Sequence, residues 1–397
     1  MDDRIIICRK DGFLVSALIR GKECVHLSVS EANTHFRVGN VYIGRVASVV
    51  PNLSACFADI GAGTNVYIPL DKTTDAVTFP VHADGKLHEG DCILLQIDRL
   101  PSKNKPASGT GEISLVGNAV CILHGRKGIS FSKKIEKPGF RDTIRKAFEG
   151  RTEEGFGVML RTNSVFFETD RIVAEYDRLL ASYREIKRKF ACGKPGTLVW
   201  EGLAEHLTAF RDEHLSDLEE IVTDDESTYK QLKEYFTDFL PELSGKLRFY
   251  DSEKVSLYRL YDLGKAFHDA LSRVVPLRSG GSLVIDRTEA MTVIDVNSGK
   301  GSGTRKKNAL HEINLEEAKE NARQLRLRNL SGMILCDFIS TEGANDAEEL
   351  MKELRSCTAE DRDTCVVDIT ALGIVEMTRV KKEVPLFETV RNLGFKA

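Results

Sequence analysis

The chain has 397 residues, a formal net charge of −4, 42% hydrophobic residues and 29% charged residues. This length is too great for one typical hydrophobic core, so we expect two to four domains of an ordinary folded protein. The small negative net charge argues against an indiscriminate polyanion binder, although a local basic groove can still steer such a ligand.

Cysteine usage and the first residues bear on the cellular compartment. The nine cysteines are scattered without a CxxC pair, which indicates reduced thiols. The start MDDRIIICRK places acids before a very short apolar run, which is not typical of a secretory signal, and no run is long enough for a transmembrane helix. We therefore expect a cytoplasmic protein without a membrane span.

Two β-rich regions occupy the first 112 residues. Residues 1–35 alternate as strands do, with a turn at residues 11–12, and predict a small β-meander. Residues 36–112 contain short strands separated by Gly, Pro and Asn, which suits a Greek-key barrel of the oligonucleotide-binding type. Phe57 and Tyr67 lie on successive strands of this barrel, where the pattern allows either base stacking or an interior position.

The middle of the chain is predicted to be largely helical. Residues 172–190 and 202–240 have strongly helical patterns, with a break at residues 193–196. Before them, an apolar run ends at the dipeptide Arg161-Thr162. An Arg-Thr pair can bind a phosphate, but by itself it carries almost no information about function.

Two aspartates, Asp295 and Asp337, follow apolar runs that predict short buried strands. A helix predicted over residues 312–329 would make a right-handed crossover, so both carboxylates would emerge at one edge of a parallel sheet. Asn297 adds an oxygen ligand or an orienting group. Together these residues predict a Mg²⁺ site, while either aspartate alone is more typical of a turn or a helix cap.

The segments beside the crossover helix support that geometry. Asn314 is a candidate N-cap, with Glu316 and Glu317 in the first turn, where the helix dipole favours acids. The loop over residues 296–308 is rich in glycine and serine, which lets a backbone approach a phosphate closely. Its cations are Lys300, Arg305, Lys306 and Lys307. This composition suits a polyanionic substrate.

Several long, ordered strings in the chain are specific. They are SGGSLVIDRTEAMTVIDVNSGK, EINLEEAKENARQLRLRNLSGMILCDFI and ITALGIVEMTRVK, with GNVYIGRVASVVPNLSACFADIGAGTNVYIPL, ISLVG and GVMLRT upstream. In these strings, which cover most of residues 36–382, the chain resembles the ribonuclease E/G family of endoribonucleases.

The resemblance implies an α/β multidomain fold. Residues 1–35 and 208–272 would join as a ribonuclease-H-like domain without that enzyme's activity. An OB-fold RNA-binding barrel over residues 36–112 and a 5′-end sensor over residues 113–207 would be inserted between them. A deoxyribonuclease-I-like α/β catalytic domain would follow over residues 273–397.

The resemblance also implies roles at the catalytic site and on the barrel. Residues matching Asp295 and Asp337 hold the catalytic Mg²⁺ in the family, and the one matching Asn297 helps to position the site. Phe57 matches a substrate-contacting phenylalanine. Tyr67 stands where a second phenylalanine usually occurs, an exchange that keeps a ring and adds a hydroxyl.

Further matches concern the RNA path and its 5′ end. Lys105 aligns with a lysine that touches RNA near the cleavage site, although its surroundings depart from the family's glycine-rich pattern. Arg161 and Thr162 match a pair that binds a 5′-terminal monophosphate, and Gly117 matches a second element of that pocket. Cys121 replaces a residue that is often small and aliphatic, which leaves the shape of the pocket open.

The function implied is a Mg²⁺-dependent endoribonuclease. It would cut single-stranded RNA to 3′-hydroxyl and 5′-phosphate ends, favour 5′-monophosphorylated RNA, and act in ribosomal RNA processing or messenger RNA decay. Two alternatives stay open: an inactive RNA-binding relative used as a scaffold or regulator, and a phosphodiesterase acting on DNA. The intact Asp295, Asn297 and Asp337 disfavour the inactive relative.

One departure from the family concerns assembly. Larger members continue past EMTRxK into a CPxC-type segment, where two chains share a zinc ion. Here the chain reads KKEVPLFETVRNLGFKA after that motif, so we expect no structural zinc. A homodimer through other surfaces, or a monomer, stays open.

Overall fold

The computed structural model divides into two compact units. One comprises residues 1–33 and 217–397, and the other comprises residues 34–216. The structure describes residues 3–32, 36–61, 63–101, 105–153, 155–212, 218–251, 254–298, 307–339, 346–359, 361, 363–381 and 384–397. Of the predicted loop cations, Lys300, Arg305 and Lys306 lie outside these ranges.

The first unit begins with an antiparallel β-meander. Its strands are β1 (Asp3–Lys10), β2 (Phe13–Arg20) and β3 (Glu23–Glu31). Asp11 and Gly12 form the first turn with positive φ angles of 49° and 87°, which Asp and Gly tolerate better than most residues. The predicted meander is confirmed.

A closed five-stranded barrel opens the second unit. This part of the chain contains β4 (Val41–Val50), β5 (Ala55–Asp59), β6 (Asn65–Pro69), β7 (Thr78–Phe79), β8 (Cys92–Arg99) and β9 (Ser108–Thr110), with 3₁₀ helices at Pro51–Leu53 and Leu70–Thr73. The order β4-β5-β6-β9-β8 closes because β8 also pairs with β4. Buried aliphatic side chains, Val66 and Ile93 among them, fill the interior. The predicted barrel is confirmed.

A smaller mixed sheet backed by a long helix follows the barrel. Its region contains β10 (Ser114–Val116), β11 (Val120–His124), β12 (Gly128–Phe131), α1 (Phe140–Ala147), β13 (Phe156–Leu160), a 3₁₀ helix (Thr162–Phe166), α2 (Thr169–Cys192), β14 (Leu198–Trp200) and α3 (Glu205–Asp212). The sheet order is β10-β11-β13-β12, and β14 pairs with β4 of the barrel. Tyr176 and Tyr183 of α2 are fully buried in the shared core.

The chain then returns to the first unit and completes the sheet of the meander. The added elements are β15 (Leu218–Thr223), α4 (Glu226–Phe239), a 3₁₀ helix (Pro241–Lys246), β16 (Leu247–Phe249), α5 (Leu257–Leu260) and α6 (Leu263–Leu271). The order is β16-β15-β1-β2-β3, with β15 parallel to β1 and β16. The helical pattern predicted over residues 202–240 is confirmed at α3 and α4 and wrong at β15, because pairing with β1 draws the apolar Ile221 and Val222 into a strand.

A six-stranded sheet ends the first unit. Its elements are β17 (Val274–Pro276), β18 (Ser282–Arg287), β19 (Met291–Asn297), α7 (Lys307–Leu327), β20 (Gly332–Asp337), α8 (Asp346–Thr358), β21 (Thr364–Ile369), β22 (Ile374–Arg379) and α9 (Leu386–Leu393). The order is β17-β18-β19-β20-β22-β21. β19 and β20 are parallel, with α7 as the connection between them. The predicted strand-helix-strand crossover is confirmed.

The start of α7 differs from the prediction. The helix begins at Lys307, so Asn314 lies inside it and is not an N-cap. The Asn314 side chain is buried, where Nδ2 donates to the carbonyl of Ile339 at 2.8 Å and Oδ1 accepts from the Ile339 amide at 3.1 Å. The amide therefore ties α7 to the backbone just beyond β20.

Among the described helices, none is both long enough and apolar enough to cross a membrane.

Candidate active site

Two carboxylates stand next to each other at the carboxyl ends of β19 and β20. Asp295 and Asp337 are register partners across the parallel pair, and both are exposed. Strand alternation explains the exposure, because their neighbours Ile294 and Cys336 point to the opposite face and are fully buried. The predicted meeting of the two aspartates is confirmed, while their binding of a metal stays a prediction.

An amide orients one of the two carboxylates. Asn297 lies on the same face of β19 as Asp295, and its Nδ2 donates to Asp295 Oδ2 at 2.8 Å. This hydrogen bond restrains the rotation of the Asp295 side chain. The role of Asn297 as a ligand or an orienting group stays a prediction.

The carboxylates of Asp295 and Asp337 are the candidate ligands for a metal ion. Mg²⁺ in proteins is typically bound through one or two carboxylates and keeps several water ligands. In the part of the chain that the structure describes, no group of three or more His, Cys, Asp and Glu side chains is arranged to hold an ion. Asp295 and Asp337, as two adjacent carboxylates, fit the ligand preference of Mg²⁺.

A buried acid on α7 was missed by the sequence analysis. Glu317 is 0% exposed, and among the described residues neither of its carboxyl oxygens has a hydrogen-bond partner. Burial, together with the smaller effects of the charges on Glu316 and Asp295, raises the pKa of Glu317 to about 8. At neutral pH the group is therefore mostly protonated. The sequence placed Glu317 in an exposed first turn because the helix was predicted to start too late.

Glu316, its neighbour, has a different role. Its two carboxyl oxygens accept the amide hydrogens of Arg278 and Ser279 at 2.9 and 3.1 Å. These contacts hold the turn between β17 and β18. Gly281 in that turn lies so close to the carbonyl of Asn297 that an added Cβ would approach it to 2.8 Å. The glycine turn thus packs directly against the end of the strand that carries the site.

The barrel presents an aromatic pair on its outer surface. Phe57 and Tyr67 are register partners on β5 and β6, with ring centroids 5.8 Å apart and planes at 68°. Both are half-buried, whereas the residues that alternate with them, Cys56 and Val66, are 0% exposed inside the barrel. The rings therefore lie outside the barrel core, which favours the stacking interpretation over the interior one.

Lys105 lies in the segment that leads into β9, the strand that pairs with β6 at Tyr67. It is exposed and precedes β9, and the neighbouring carbonyl of Ala107 accepts the amide hydrogen of Tyr67 at 2.9 Å. Tyr67 also pairs with Ser108 of β9. The structure thus places Lys105 on the strand connection beside Tyr67, and its contact with RNA stays a prediction.

The predicted 5′-end residues come together at one end of the smaller sheet. The guanidinium Nη1 of Arg161 donates to the carbonyl of Gly117 at 2.6 Å and to that of Asn118 at 3.3 Å. The Thr162 hydroxyl lies 2.8 Å from the hydroxyl of Ser132. Arg161, Thr162 and Gly117 therefore belong to one local structure, although 44 residues separate Arg161 from Gly117.

A buried carboxylate explains why residue 117 is a glycine. Glu175 of α2 accepts the amide hydrogens of Asn118 and Ala119 at 2.5 and 2.9 Å. A Cβ on Gly117 would stand only 2.3 Å from Glu175 Oε1. The turn at Gly117 is thus built around this carboxylate, which the sequence pattern gave no reason to single out.

Cys121 takes an interior position. It is 2% exposed in β11, and burial raises the pKa of its thiol to about 11, while the charges of Arg161 and Arg211 act in the opposite direction. The thiol is therefore neutral near pH 7.

The chain is similar to known proteins over most of its length. The model of the family described as Ribonuclease E/G family matches residues 114–382. The chain belongs to the ribonuclease E/G family. The matched segment runs from the start of β10 to beyond β22, and so contains Asp295, Asn297, Asp337, Gly117 and Arg161. The family resemblance predicted from the sequence is confirmed.

Individual relatives are similar over most of the chain. Ribonuclease G of Escherichia coli strain K12 and Ribonuclease G of Salmonella typhimurium strain SL1344 are each 31% identical over 357 residues, which is 86% of this chain and 72% of the relative. Ribonuclease E of Escherichia coli strain K12 is 30% identical over 390 residues, which is 95% of this chain and 36% of that longer protein.

Proposed function

We propose that this ribonuclease E/G family member is a Mg²⁺-dependent endoribonuclease that cuts single-stranded RNA in RNA processing or decay. The observation that carries the proposal is the in-register pair Asp295 and Asp337 at one edge of a parallel sheet, with Asn297 bonded to the first carboxylate. The names of its relatives, Ribonuclease G and Ribonuclease E, support RNA as the substrate.

The chain's own residues would divide the chemistry between them. Asp295 and Asp337 would hold the ion, and Asn297 would keep the Asp295 carboxylate turned toward it. When bound, Mg²⁺ supplies a Lewis acid that stabilises negative charge at the scissile phosphate and makes water a better nucleophile. In-line attack by water with loss of the 3′ oxygen leaves a 3′-hydroxyl and a 5′-phosphate.

RNA binding would depend on residues of the second unit. Phe57 and Tyr67 present ring surfaces outside the barrel core, where successive bases can stack without sequence preference. Lys105, exposed beside Tyr67, would contact the phosphate backbone. Arg161 and Thr162, with Gly117, would bind a terminal 5′-phosphate and favour substrates that carry one.

The sheet orders support the domain assignment that we propose. The five-stranded order β16-β15-β1-β2-β3 has an antiparallel meander followed by two parallel strands, as in a ribonuclease-H-like fold. We assign residues 1–35 and 208–272 to that domain. The other domains are the barrel (36–112), the sensor region (113–207) and a deoxyribonuclease-I-like catalytic domain (273–397).

A single cleavage experiment tests the proposed function. The purified chain is incubated with a 5′-monophosphorylated single-stranded RNA, with the matched DNA oligonucleotide, and with each of them after Mg²⁺ is chelated. Cleavage of RNA alone, only with Mg²⁺, is expected. Binding of RNA without cleavage would overturn the enzyme assignment in favour of an RNA-binding relative. Cleavage of DNA would overturn the assignment of the substrate.

A further inference from the structure

A cleft with a volume of about 460 Å³ lies between the barrel and the smaller sheet of the second unit. Ligand pockets typically measure about 300–1,000 Å³. None of the described residues that the proposed function assigns to RNA lines this cleft. The inference that follows rests on the proposed function, in which RNA is the substrate. The charged and hydroxyl side chains that carry it are Lys72, Asp98, Thr110 and Glu112 on the barrel side and Arg126 and Lys127 on the sheet side.

The two walls of the cleft are tied to each other. His124 Nε2 donates to the carbonyl oxygen of Asp75 at 2.7 Å, which joins β11 to the segment that follows β6 of the barrel. Gly125 has a φ angle of 76°, and a Cβ there would lie 2.7 Å from the Cβ of Asp75. The loop that carries Arg126 and Lys127 therefore starts from a fixed point against the barrel, and the fold sets the shape of the cleft.

Positive charge exceeds negative charge in the cleft. Lys72 pairs with Asp98 at 2.9 Å. Arg126 Nη2 lies 3.7 Å from Glu112 Oε2, which is too far for a hydrogen bond. Among the described residues, the Arg126 guanidinium donates no hydrogen bond and Lys127 has no ion-pair partner. Both side chains are exposed, so their donors are available to an anion.

The cleft is continuous with the outer face of the barrel that carries the aromatic pair. Tyr67 on β6 is the register partner of Ser108 on β9. Thr110 shares the face of Ser108 because side chains alternate along a strand. A Cβ on the intervening Gly109 would lie 2.9 Å from Val66 in the core. Strands lie about 4.8 Å apart and residues about 3.3 Å apart along them, so the cleft begins within about 10 Å of Tyr67.

We propose that the cleft binds a backbone phosphate of single-stranded RNA, which Arg126 and Lys127 hold beside the bases stacked on Phe57 and Tyr67. A phosphodiester carries one negative charge, and the cleft has three cations against two carboxylates. The guanidinium fork can donate to two phosphate oxygens, while the ammonium group adds a point charge. Because backbone contacts read no base, this site adds affinity without sequence preference.

The salt dependence of RNA binding tests this contact. The double variant Arg126→Gln with Lys127→Gln is compared with the unmutated protein by fluorescence anisotropy on a 5′-hydroxyl oligouridylate, with Mg²⁺ chelated to prevent cleavage. One phosphate contact with a single strand contributes about 0.7 to the slope of log affinity against log salt. The double variant should lose that contribution, and its affinity should fall by about fourfold at about 0.15 M salt.

A matched control comes from the same unit. Arg188 and Lys189 form the same dipeptide near the end of α2, and both are exposed. Neither lines the cleft. The double variant Arg188→Gln with Lys189→Gln removes the same charge, and it should keep the affinity and the salt slope of the unmutated protein. An equal fall of the slope in both double variants would show a general effect of net charge and overturn the inference.

The other outcomes separate this inference from the proposed function. If the unmutated protein does not bind the oligouridylate, the proposed RNA binding and the phosphate site both fail. If Phe57→Ala weakens binding while the cleft variant keeps its affinity and slope, only the phosphate site is overturned. Weaker binding with an unchanged slope and a lowered Tm would identify a structural role and also overturn it.

A free nucleotide is the remaining source of a phosphate for this cleft. Calorimetry with uridine 5′-monophosphate distinguishes it from RNA. Weak or undetectable binding of the mononucleotide, together with the lowered RNA salt slope of the cleft variant, supports the RNA phosphate site. Binding of the mononucleotide that the cleft variant abolishes, with the RNA salt slope unchanged, would assign the cleft to a free nucleotide and overturn the inference.

Discussion

The carboxylates of Asp295 and Asp337 are aligned in register on neighbouring parallel strands and face the same side of the sheet. Adjacent strands lie about 4.8 Å apart, so a single cation with a small radius can contact both side chains. Parallel pairing makes this arrangement possible because both strands end at the same edge. The pair is thus a product of the α7 crossover and not of closeness in the chain.

The first prediction concerns these two carboxylates. Asp295→Asn or Asp337→Asn should each lower single-turnover cleavage at saturating Mg²⁺ on the order of a thousandfold, because each removes half of the charge that holds the ion. RNA affinity, measured by anisotropy with Mg²⁺ chelated, should change little. Near-normal turnover in either variant would show that the ion is held elsewhere.

The second prediction concerns the outer surface of the barrel. Phe57→Ala should weaken single-stranded RNA binding by about 1–3 kcal/mol, the usual loss for one stacked base, with a small change in Tm. Val66→Ala is the matched control, because Val66 is 0% exposed inside the same barrel and should lower Tm through lost packing. The stacking role fails if Phe57→Ala lowers Tm as Val66→Ala does and the folded fraction binds RNA normally.

The third prediction concerns the 5′-end pocket. Arg161→Ala should reduce the preference for 5′-monophosphate over 5′-hydroxyl RNA to near equality, a loss of about 1.5–3 kcal/mol for charge-assisted hydrogen bonds. Gly117→Ala should have a similar effect, because the new methyl group would collide with Glu175 Oε1. Rate ratios on paired substrates measure both variants. A preserved preference in Gly117→Ala would mean that the turn takes no part in phosphate binding.

The fourth prediction concerns the pH dependence of stability. The pKa of Glu317 is about 8 in the folded protein against an ordinary value of 4.5, so the unfolded chain loses this proton first as pH rises. The contribution of protonated Glu317 to the free energy of unfolding is therefore complete below pH 4.5. It is lost as the pH rises from 4.5 to 8. Each pH unit in that window costs about 1.4 kcal/mol, on the order of 5 kcal/mol in total.

Glu317→Gln tests this directly, because the amide is neutral at every pH and nearly the same size. In denaturant titrations with divalent ions chelated, the variant should lose less stability than the unmutated protein between pH 5 and pH 8. Glu316→Gln serves as the comparison, since Glu316 already bonds to backbone amides. Identical pH profiles for Glu317→Gln and the unmutated protein would refute the buried protonated acid.

The sequence predicted the features that depend on local pattern. The apolar runs before Asp295 and Asp337 were enough to predict two strands, and the intervening helical pattern implied that they are parallel. The position of Phe57 was not decided by alternation alone, because a small barrel has aromatic residues on both faces. Only the closure of the barrel, with Val66 inside, showed which face carries the ring.

Features that depend on distant parts of the chain were not predicted. Glu175 meets the turn at Gly117 through tertiary packing, and nothing in its sequence neighbourhood singles it out. The segment that forms β15 was predicted to be helical because its charged residues suit a helix surface. It forms a strand because it pairs with β1. The late helix start that was predicted hid the burial of both Asn314 and Glu317.

The amide of Asn314 has a consequence for how the protein can be altered. It bonds to both the amide and the carbonyl of Ile339, 25 residues further along, so each of the two peptide groups that meet at Ile339 is held by one of these bonds. Asp337 stands two residues before Ile339. The backbone that follows Asp337 is therefore held by a residue of α7, and we expect Asn314→Gln, longer by one methylene, to shift the proposed metal-binding carboxylate of Asp337 relative to that of Asp295 without changing any charge.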